Sequence, residues 1–145
     1  MLYALKILLF AAYLAFLCYF LFFAESMGRC FSERTYHYNL MPFKEICRFW
    51  VHRQTLGFWS VALNLVGNVV ALIPFGMFLP WLYEKCRRFS ITVLFCFEFS
   101  LFVEITQLVF KVGSFDVDDI LLNTLGGILG FCGYRVYVFV RKRMQ

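Results

Sequence analysis

Long apolar stretches alternate with short polar connections along this chain. Four of the stretches are long enough to cross a membrane, because about 20 mostly apolar helical residues span the hydrocarbon of a bilayer. Backbone N–H and C=O groups in lipid must bond within their own segment, so each stretch is predicted to be a helix. The sequence therefore predicts an all-α membrane protein that forms a single domain over residues 1–145. The predicted spans are residues 2–24, 58–82, 90–110 and 119–140.

The composition supports this fold class. Of the 145 residues 62% are hydrophobic and only 16% are charged, whereas a soluble domain has about 45–50% apolar and about 25% charged residues. The 20 phenylalanines are too many for one small soluble core. An ordinary cytosolic domain, a disordered chain and a disulfide-rich secreted module are thereby excluded.

The cysteines and histidines do not indicate a metal centre. Six cysteines are present without a Cys-x-x-Cys pair, and His37 and His52 are the two histidines. We therefore expect no zinc site and no cofactor. Cys30 and Cys47 fall in one predicted loop and could form a disulfide if that loop is extracytoplasmic.

The distribution of basic residues predicts the orientation. The connection after the second span contains Lys85, Arg87 and Arg88, and the C-terminal tail contains three further cations at residues 141–143. By the positive-inside rule both lie in the cytoplasm, together with the N-terminus. The loops at residues 25–57 and 111–119 are then extracytoplasmic. Five cations in the longer of these loops weaken the charge bias.

A short amphipathic segment follows Pro42 in the longer loop. Phe43, Ile46, Cys47 and Trp50 recur at i, i+3, i+4 and i+7, with polar residues between them. The pattern predicts a helix that begins at Pro42 and lies on the outer membrane surface. Such a helix is either a connector whose cations meet lipid phosphates, or a cover over a site. In the second case Arg34 and Arg48 are available to hold an anionic ligand.

Three of the predicted spans carry polar side chains on one helical face. The stripes are Ser60, Asn64, Gly67, Asn68 and Ala71 on the second span, Ser100, Glu104, Gln107 and Lys111 on the third, and Asp119, Asn123, Gly126, Gly127 and Gly130 on the fourth. In the predicted orientation all three stripes lie in the outer half of the bilayer. They form either an interhelical hydrogen-bond network, packed closely at the glycines, or a polar pocket open to the outside.

Three aspartates occur within four positions just before the fourth span. An Asp at a helix start accepts hydrogen bonds from free backbone N–H groups, which accounts for one or two of Asp116, Asp118 and Asp119. The third, together with Glu104, could bind a hard cation through oxygen ligands. Glu98 lies about 120° around its helix from Glu104. Glu98 either pairs with a group on the first span or stays protonated in the apolar interior, and the sequence does not decide between the two.

Several of these segments resemble the VanZ-like family of bacterial membrane proteins. The segment from Tyr38 to Ile46, the stretch LNLVGNVVALIPFG at residues 63–76, Glu104 with Gln107, and FDVDDILLNTLGG at residues 115–127 are similar to the family's motifs. The resemblance implies a four-helix protein of the bacterial cell membrane, with members linked to reduced teicoplanin susceptibility. It singles out Arg34, Asn39, Asn68, Glu104, Gln107, Asp116, Asp118, Asp119 and Asn123.

The stripes and the resemblance together define a candidate ligand-binding set, with no residue assigned to catalysis. It comprises Arg34, Asn39, Asn64, Asn68, Glu104, Gln107, Asp116, Asp118, Asp119 and Asn123. The first hypothesis is a non-enzymatic envelope protein that binds or shields a lipid-anchored or amphiphilic molecule at the outer leaflet. Its partners would be membrane lipids, a lipid-linked envelope molecule or a lipoglycopeptide, and no nucleic acid.

Two further hypotheses stay open. One is a membrane-embedded enzyme that acts on a lipid-linked precursor, with Glu104 and Asp119 as acid and base. The other is proton-coupled transport through Glu98 and Glu104. The sequence does not indicate an oligomeric state.

Overall fold

The structure, a computed structural model, describes residues 2–20, 38–56 and 58–144. The described part is predominantly helical, in agreement with the predicted class. The elements in chain order are α1 (Leu2–Tyr19), β1 (Tyr38–Asn39), α2 (Lys44–Val51), α3 (Arg53–Leu56), α4 (Phe58–Leu82), a 3₁₀ turn (Glu84–Arg87), α5 (Phe89–Phe110), β2 (Phe115–Asp116) and α6 (Val117–Arg143).

Helices α4 and α6 run parallel and touch backbone to backbone. A Cβ atom at Gly126 would overlap the carbonyl oxygen of Val69, and one at Gly130 would overlap that of Ile73. Glycines four residues apart leave a groove on α6 into which the neighbouring helix fits. The predicted close approach at the glycines of the fourth span is therefore confirmed.

Helices α1 and α5 run antiparallel to this central pair. The Lys6 ammonium lies 4.5 Å from the centre of the Trp81 ring, and the Tyr13 hydroxyl donates to the Ala71 carbonyl at 2.6 Å, so the first turns of α1 lie beside the end of α4. The antiparallel course of α5 follows from a second pair of contacts. Ser100 bonds Asn123, and a group further along α5, Glu104, bonds a residue before α6.

The interior is small and the outer surface is apolar. The core cluster comprises Leu17, Leu72, Phe75, Leu79, Cys86, Cys96 and Val103. Large apolar side chains face outward along the helices, with exposed fractions of 68% at Phe16, 65% at Phe102 and 56% at Phe139. An apolar exterior of this kind is typical of a surface in contact with lipid.

Two of the four predicted spans contain a described helix that is long and apolar enough to cross a membrane. The segments Asn64–Leu82 and Phe89–Phe110 are long and apolar enough to cross a membrane, and Tyr3–Tyr19 is a shorter apolar helix. Helix α6 has sufficient length, at 27 residues, but it contains acidic residues in its first turn and basic residues in its last turn. The structure thus suggests a membrane protein.

The polar connections meet at one end of the bundle. The two-residue strands β1 and β2 pair in parallel, with Tyr38 opposite Phe115 and Asn39 opposite Asp116. Helix α2 follows β1 and packs against the first turn of α6. The starts of α4 and α6, the end of α5 and helix α2 therefore share this end of the bundle, which we call the polar end.

A short helix, α2, is present in the segment where one was predicted, but it begins later than predicted. Pro42 lies in a turn, and Phe43 precedes the helix in a left-handed conformation with φ 65°. The first free N–H groups of α2 point at a carboxylate from another part of the chain, described below. The start of α2 is therefore set by a tertiary contact and not by the proline.

Candidate functional site

Asp116 connects three elements at the polar end. Its N–H donates to Oε2 of Glu104 at 2.9 Å, while its Oδ1 accepts from Nδ2 of Asn39 at 3.0 Å and from the N–H of Asp118 at 2.9 Å. The last bond is an N-terminal cap of α6. Glu104, Asn39 and Asp116 are all buried. The Asp116 contacts thus hold α5, β1 and the start of α6 in one arrangement.

Asp118 caps a helix other than its own. Its Oδ2 accepts from the N–H groups of Glu45 at 2.8 Å and Ile46 at 3.1 Å, and its Oδ1 accepts from the N–H of Phe43. Helix α2 has no side-chain cap within its own segment. Because Asp118 is 1% exposed, these bonds form away from solvent, and they fix α2 over the start of α6.

The polar stripes pair across helices. Nδ2 of Asn68 on α4 donates to Oδ1 of Asp119 on α6, and Nδ2 of Asn123 donates to Oγ of Ser100 on α5 at 2.9 Å. Ser100, Gln107 and Asn123 are buried together with Glu104. The predicted inward orientation is confirmed for these residues. One atom departs from the pattern, since Asn123 Oδ1 is buried without a hydrogen-bond partner among the described residues.

A polar cavity of about 400 Å³ opens beside this network. It is lined by Tyr38, Asn39, Lys44, Glu45, Arg48, Ser114 and Asp116. A smaller cavity of about 90 Å³ adjoins it on the side of α4 and α6, where Asn64, Asp118 and Asp119 contribute to its wall. The larger volume falls within the range of about 300–1,000 Å³ that small-molecule sites occupy.

Two of the charged groups that line the cavity form an ion pair. Nη2 of Arg48 lies 2.6 Å from Oε2 of Glu45, one turn away on α2, and the guanidinium also lies over the Phe49 ring at 5.1 Å. Burial raises the pKa of the Glu45 carboxyl, against the opposing effect of Arg48. Burial likewise raises the pKa of Asp116, although the bonds from Asp118 and Asn39 favour its charged form. The cavity thus offers both cations and hydrogen-bonding carboxyl groups.

The structure brings most of the predicted set to the polar end. Asn39, Asn68, Glu104, Asp116, Asp118, Asp119 and Asn123 take part in the bonds described above, and Gln107 is buried on the same face of α5. Asn64 differs from the expectation because it is exposed, although it borders the smaller cavity. Glu98 is exposed on the outer face of α5. Arg34, and Cys30 of the suggested disulfide, lie outside the described residues.

The set chosen from the sequence omits several cavity residues. Tyr38, Lys44, Glu45 and Ser114 line the larger cavity but belong to no polar stripe of a span. The signal that could have found Lys44 and Glu45 was the amphipathic segment after Pro42, whose polar face carries them together with Arg48. Tyr38 precedes that segment and lies in β1. Ser114 had no such signal, since its place depends on the pairing of β2 with β1.

The aspartates act as hydrogen-bond acceptors in this structure. Asp116 and Asp118 accept hydrogen bonds from backbone N–H groups, and Asp119 accepts one from a side-chain amide. Two of the three aspartates therefore cap a helix, as the sequence allowed, and the structure identifies their partners. Within the described ranges, no group of three or more His, Cys, Asp or Glu side chains is placed to hold a metal ion.

Comparison with known proteins identifies the family. The sequence model of the VanZ/LLP1 family matches residues 10–140, which is most of the chain. The chain belongs to the VanZ/LLP1 family. Protein VanZ of Enterococcus faecium is 33% identical over 82 residues, or 57% of this chain. That alignment spans about half the length of the relative, at 48%. No solved structure matches the chain.

The family match covers the segments that form the candidate site. The matched region contains both cavity-forming segments, residues 38–48 and 114–119, and the polar faces of α4, α5 and α6. The resemblance stated from the sequence is therefore confirmed at the level of the VanZ/LLP1 family.

Proposed function

We propose that this VanZ-like chain is a multi-pass protein of the bacterial cell membrane that binds the headgroup of a lipid-anchored or amphiphilic molecule at the outer leaflet. Through this binding it lowers susceptibility to lipoglycopeptide antibiotics such as teicoplanin. The observation that carries the proposal is the polar cavity of about 400 Å³ at one end of a bundle with an otherwise apolar exterior. The protein acts by binding, without a chemical step.

The four-span topology is part of the proposal. Helices α1, α4, α5 and α6 alternate in direction, so the start of α1 and the end of α6 lie at the end opposite the cavity. That end carries Lys6, Arg87 and the basic tail of α6. The positive-inside rule assigns it to the cytoplasm, and the cavity then faces the outside.

Helix α2 is proposed to rest on the outer membrane surface. Phe43, Trp50 and Val51 expose 61%, 65% and 68% of their surfaces, which is unfavourable in water and favourable against lipid. Lys44 and Arg48 on the same helix line the cavity. An amphiphile that enters there would place its polar group between these cations and its hydrocarbon chain beside the apolar residues of α2.

The lining favours a headgroup with both acceptors and donors. The Arg48 fork binds phosphate or carboxylate oxygens, and its contact with Glu45 orients it beforehand. The Tyr38 and Ser114 hydroxyls and the Asn39 amide add neutral hydrogen bonds, while Asp116 can accept from a sugar hydroxyl. A glycosylated or phosphorylated lipid headgroup has this combination of groups and the required size.

Antibiotic susceptibility of a sensitive Gram-positive host tests the proposal. The host expresses the chain or its Lys44→Gln/Arg48→Gln variant, with vancomycin as the comparison that lacks an acyl chain. Lys85→Gln/Arg88→Gln is the matched control, since it removes the same charge at the opposite end. We expect a rise in tolerance that is selective for teicoplanin, lost in the cavity variant and kept in the control.

Three outcomes would contradict the proposal. The first is an absence of selective tolerance at a verified membrane level of the protein, and the second is equal loss in both variants. The third is turnover of a labelled lipid-linked precursor by the purified chain, abolished by Glu104→Gln, which would favour the enzyme hypothesis. An Arg48→Lys variant checks that the charge, and not the fold of α2, is being tested.

A further inference from the structure

A second cavity lies at the opposite end of the bundle. It has a volume of about 470 Å³ and is formed by α1, the end of α4, the 3₁₀ turn and the last three turns of α6. Its lining comprises Lys6, Trp81, Arg87, Tyr134, Arg135, Tyr137, Val138, Arg141 and Lys142. Five of these nine residues are cations and none is a carboxylate, so we call it the basic cavity.

The charge of the basic cavity is largely uncompensated. Arg87 pairs with Glu84 at 3.3 Å, but both side chains are more than half exposed, and such surface pairs contribute little. The Lys6 ammonium contacts the face of Trp81 instead of an anion. Five like charges around one cavity repel one another, so an anionic group between them would be stabilised by all five.

Helix dipoles account for only part of this clustering. Arg141 and Lys142 lie in the last turn of α6, where a cation is favoured by the negative end of the helix dipole. Lys6 instead lies near the N-terminal end of α1, where the positive end of the α1 dipole disfavours a cation. Arg135 lies two turns before the end of α6, too far for the dipole of the last turn. The helix dipoles therefore do not account for the positions of these two cations.

The walls of the cavity fit the boundary between a membrane and water. Trp81 and Tyr137 meet edge to face with ring centres 6.4 Å apart, and Tyr134 is buried beside them. Trp and Tyr are enriched at the level of lipid headgroups, and basic pockets between helices on the cytoplasmic side bind anionic headgroups. A phospholipid that entered there would place its phosphate among the cations and its acyl chains along the apolar faces of α1 and α6.

We propose that the basic cavity binds the phosphate headgroup of an anionic phospholipid from the leaflet opposite the polar cavity. The inference rests on the membrane location in the proposed function, but it does not involve the residues of the polar cavity. Free phosphate has the same anionic chemistry, and the apolar and aromatic surroundings favour the lipid.

Lipid binding by the purified full chain in neutral detergent tests this inference. Phosphatidylglycerol and phosphatidylcholine are titrated separately, with retention measured by native mass spectrometry and by the shift in thermal unfolding. Lys6→Gln/Arg135→Gln removes the two cations that dipoles do not explain. We expect this double variant to bind phosphatidylglycerol about twenty-five-fold more weakly, at about a fivefold loss for each cation removed.

Matched variants keep the test specific. Lys85→Gln/Arg88→Gln removes the same charge from the same end, outside the lining of the basic cavity, and should bind like the unmodified chain. Arg135→Lys should retain most of the binding, which separates loss of charge from loss of fold. Equal weakening in both double variants, equal affinity for phosphatidylcholine, or equally tight binding of inorganic phosphate would each overturn the inference. None of these results depends on antibiotic susceptibility.

Discussion

The carboxylate of Asp118 accepts the backbone N–H of Glu45 at 2.8 Å, across 73 positions of sequence. With the bonds from its neighbours Phe43 and Ile46, this contact provides α2 with the N-terminal cap that its own segment lacks. The helix that carries Lys44 and Arg48 is thereby fixed at the mouth of the polar cavity. The acidic motif before α6 therefore shapes the cavity by positioning another element.

The two neighbouring aspartates should respond differently to the same substitution. Asp118 accepts backbone N–H groups at both of its carboxylate oxygens. Asp118→Asn would turn an amide N–H₂ group toward some of these donors, and it should destabilise the protein by about 1–2 kcal/mol, as the loss of an N-cap does. Asp116 receives both of its described bonds at Oδ1, which Asn also provides, so Asp116→Asn should keep most of the stability. Thermal unfolding in detergent measures the stability of both variants. Hydrogen exchange should be faster in α2 only for Asp118→Asn. Similar losses in the two variants would contradict this assignment.

Stability should decrease as the pH rises through the pKa of Asp116. Burial raises this pKa above its ordinary value of 3.8, so over the interval between the two values the folded state holds a proton that the unfolded state has released. The stabilisation that comes from this proton is complete at a pH below the ordinary pKa, and it is lost as the pH rises past the pKa of Asp116 in the folded state. Glu45 contributes with the same sign.

Unfolding free energies from about pH 4 to about pH 7 measure this dependence, because that interval begins at the ordinary pKa of an aspartate. Asp116→Asn should reduce the slope and leave the part that belongs to Glu45. An unchanged slope in Asp116→Asn would show that other groups cause the pH dependence.

The α4–α6 contact should not tolerate a methyl group. Gly126→Ala and Gly130→Ala each place a Cβ against a backbone carbonyl of α4, and each should destabilise the bundle by about 1–3 kcal/mol as overpacking does. Gly133 is on the same helix, and a Cβ atom added there would have nothing within 4 Å. Gly133→Ala should be neutral or stabilising by up to about 1 kcal/mol through helix propensity. Thermal unfolding of the three variants provides the comparison, and a loss at Gly133 equal to that at Gly126 would count against the interpretation.

Glu104 should tolerate an amide better than an apolar side chain. In Glu104→Gln an oxygen remains to accept the N–H of Asp116, whereas Glu104→Leu leaves that buried donor without an acceptor and should lose about 1–3 kcal/mol more. Thermal unfolding ranks the two variants. If Gln destabilises as strongly as Leu, the charge of Glu104 and not its hydrogen bond holds the site together.

The sequence alone determined the helical elements and their inward faces. The spacing of Ser100, Glu104 and Gln107 predicted a buried stripe because residues three and four apart share one side of a helix. The glycines of α6 predicted a close neighbour, and the aspartates before an apolar run predicted a cap by one or two of them. These are local signals, since each depends on residues within a turn or two of one another.

Tertiary structure decided which partner each of these residues meets. Periodicity reports that a face is buried but not which helix covers it, so the pairs Asn68–Asp119 and Ser100–Asn123 needed the parallel and antiparallel courses of the helices. An Asp at a helix start can cap its own helix or another, and only the packing of α2 on α6 assigns Asp118 to the second role. The cavity residues Tyr38 and Ser114 line one cavity because two strands of two residues each pair, and such strands are too short to be recognised from sequence. The strands can pair because the packing of α2, α5 and α6 brings them together.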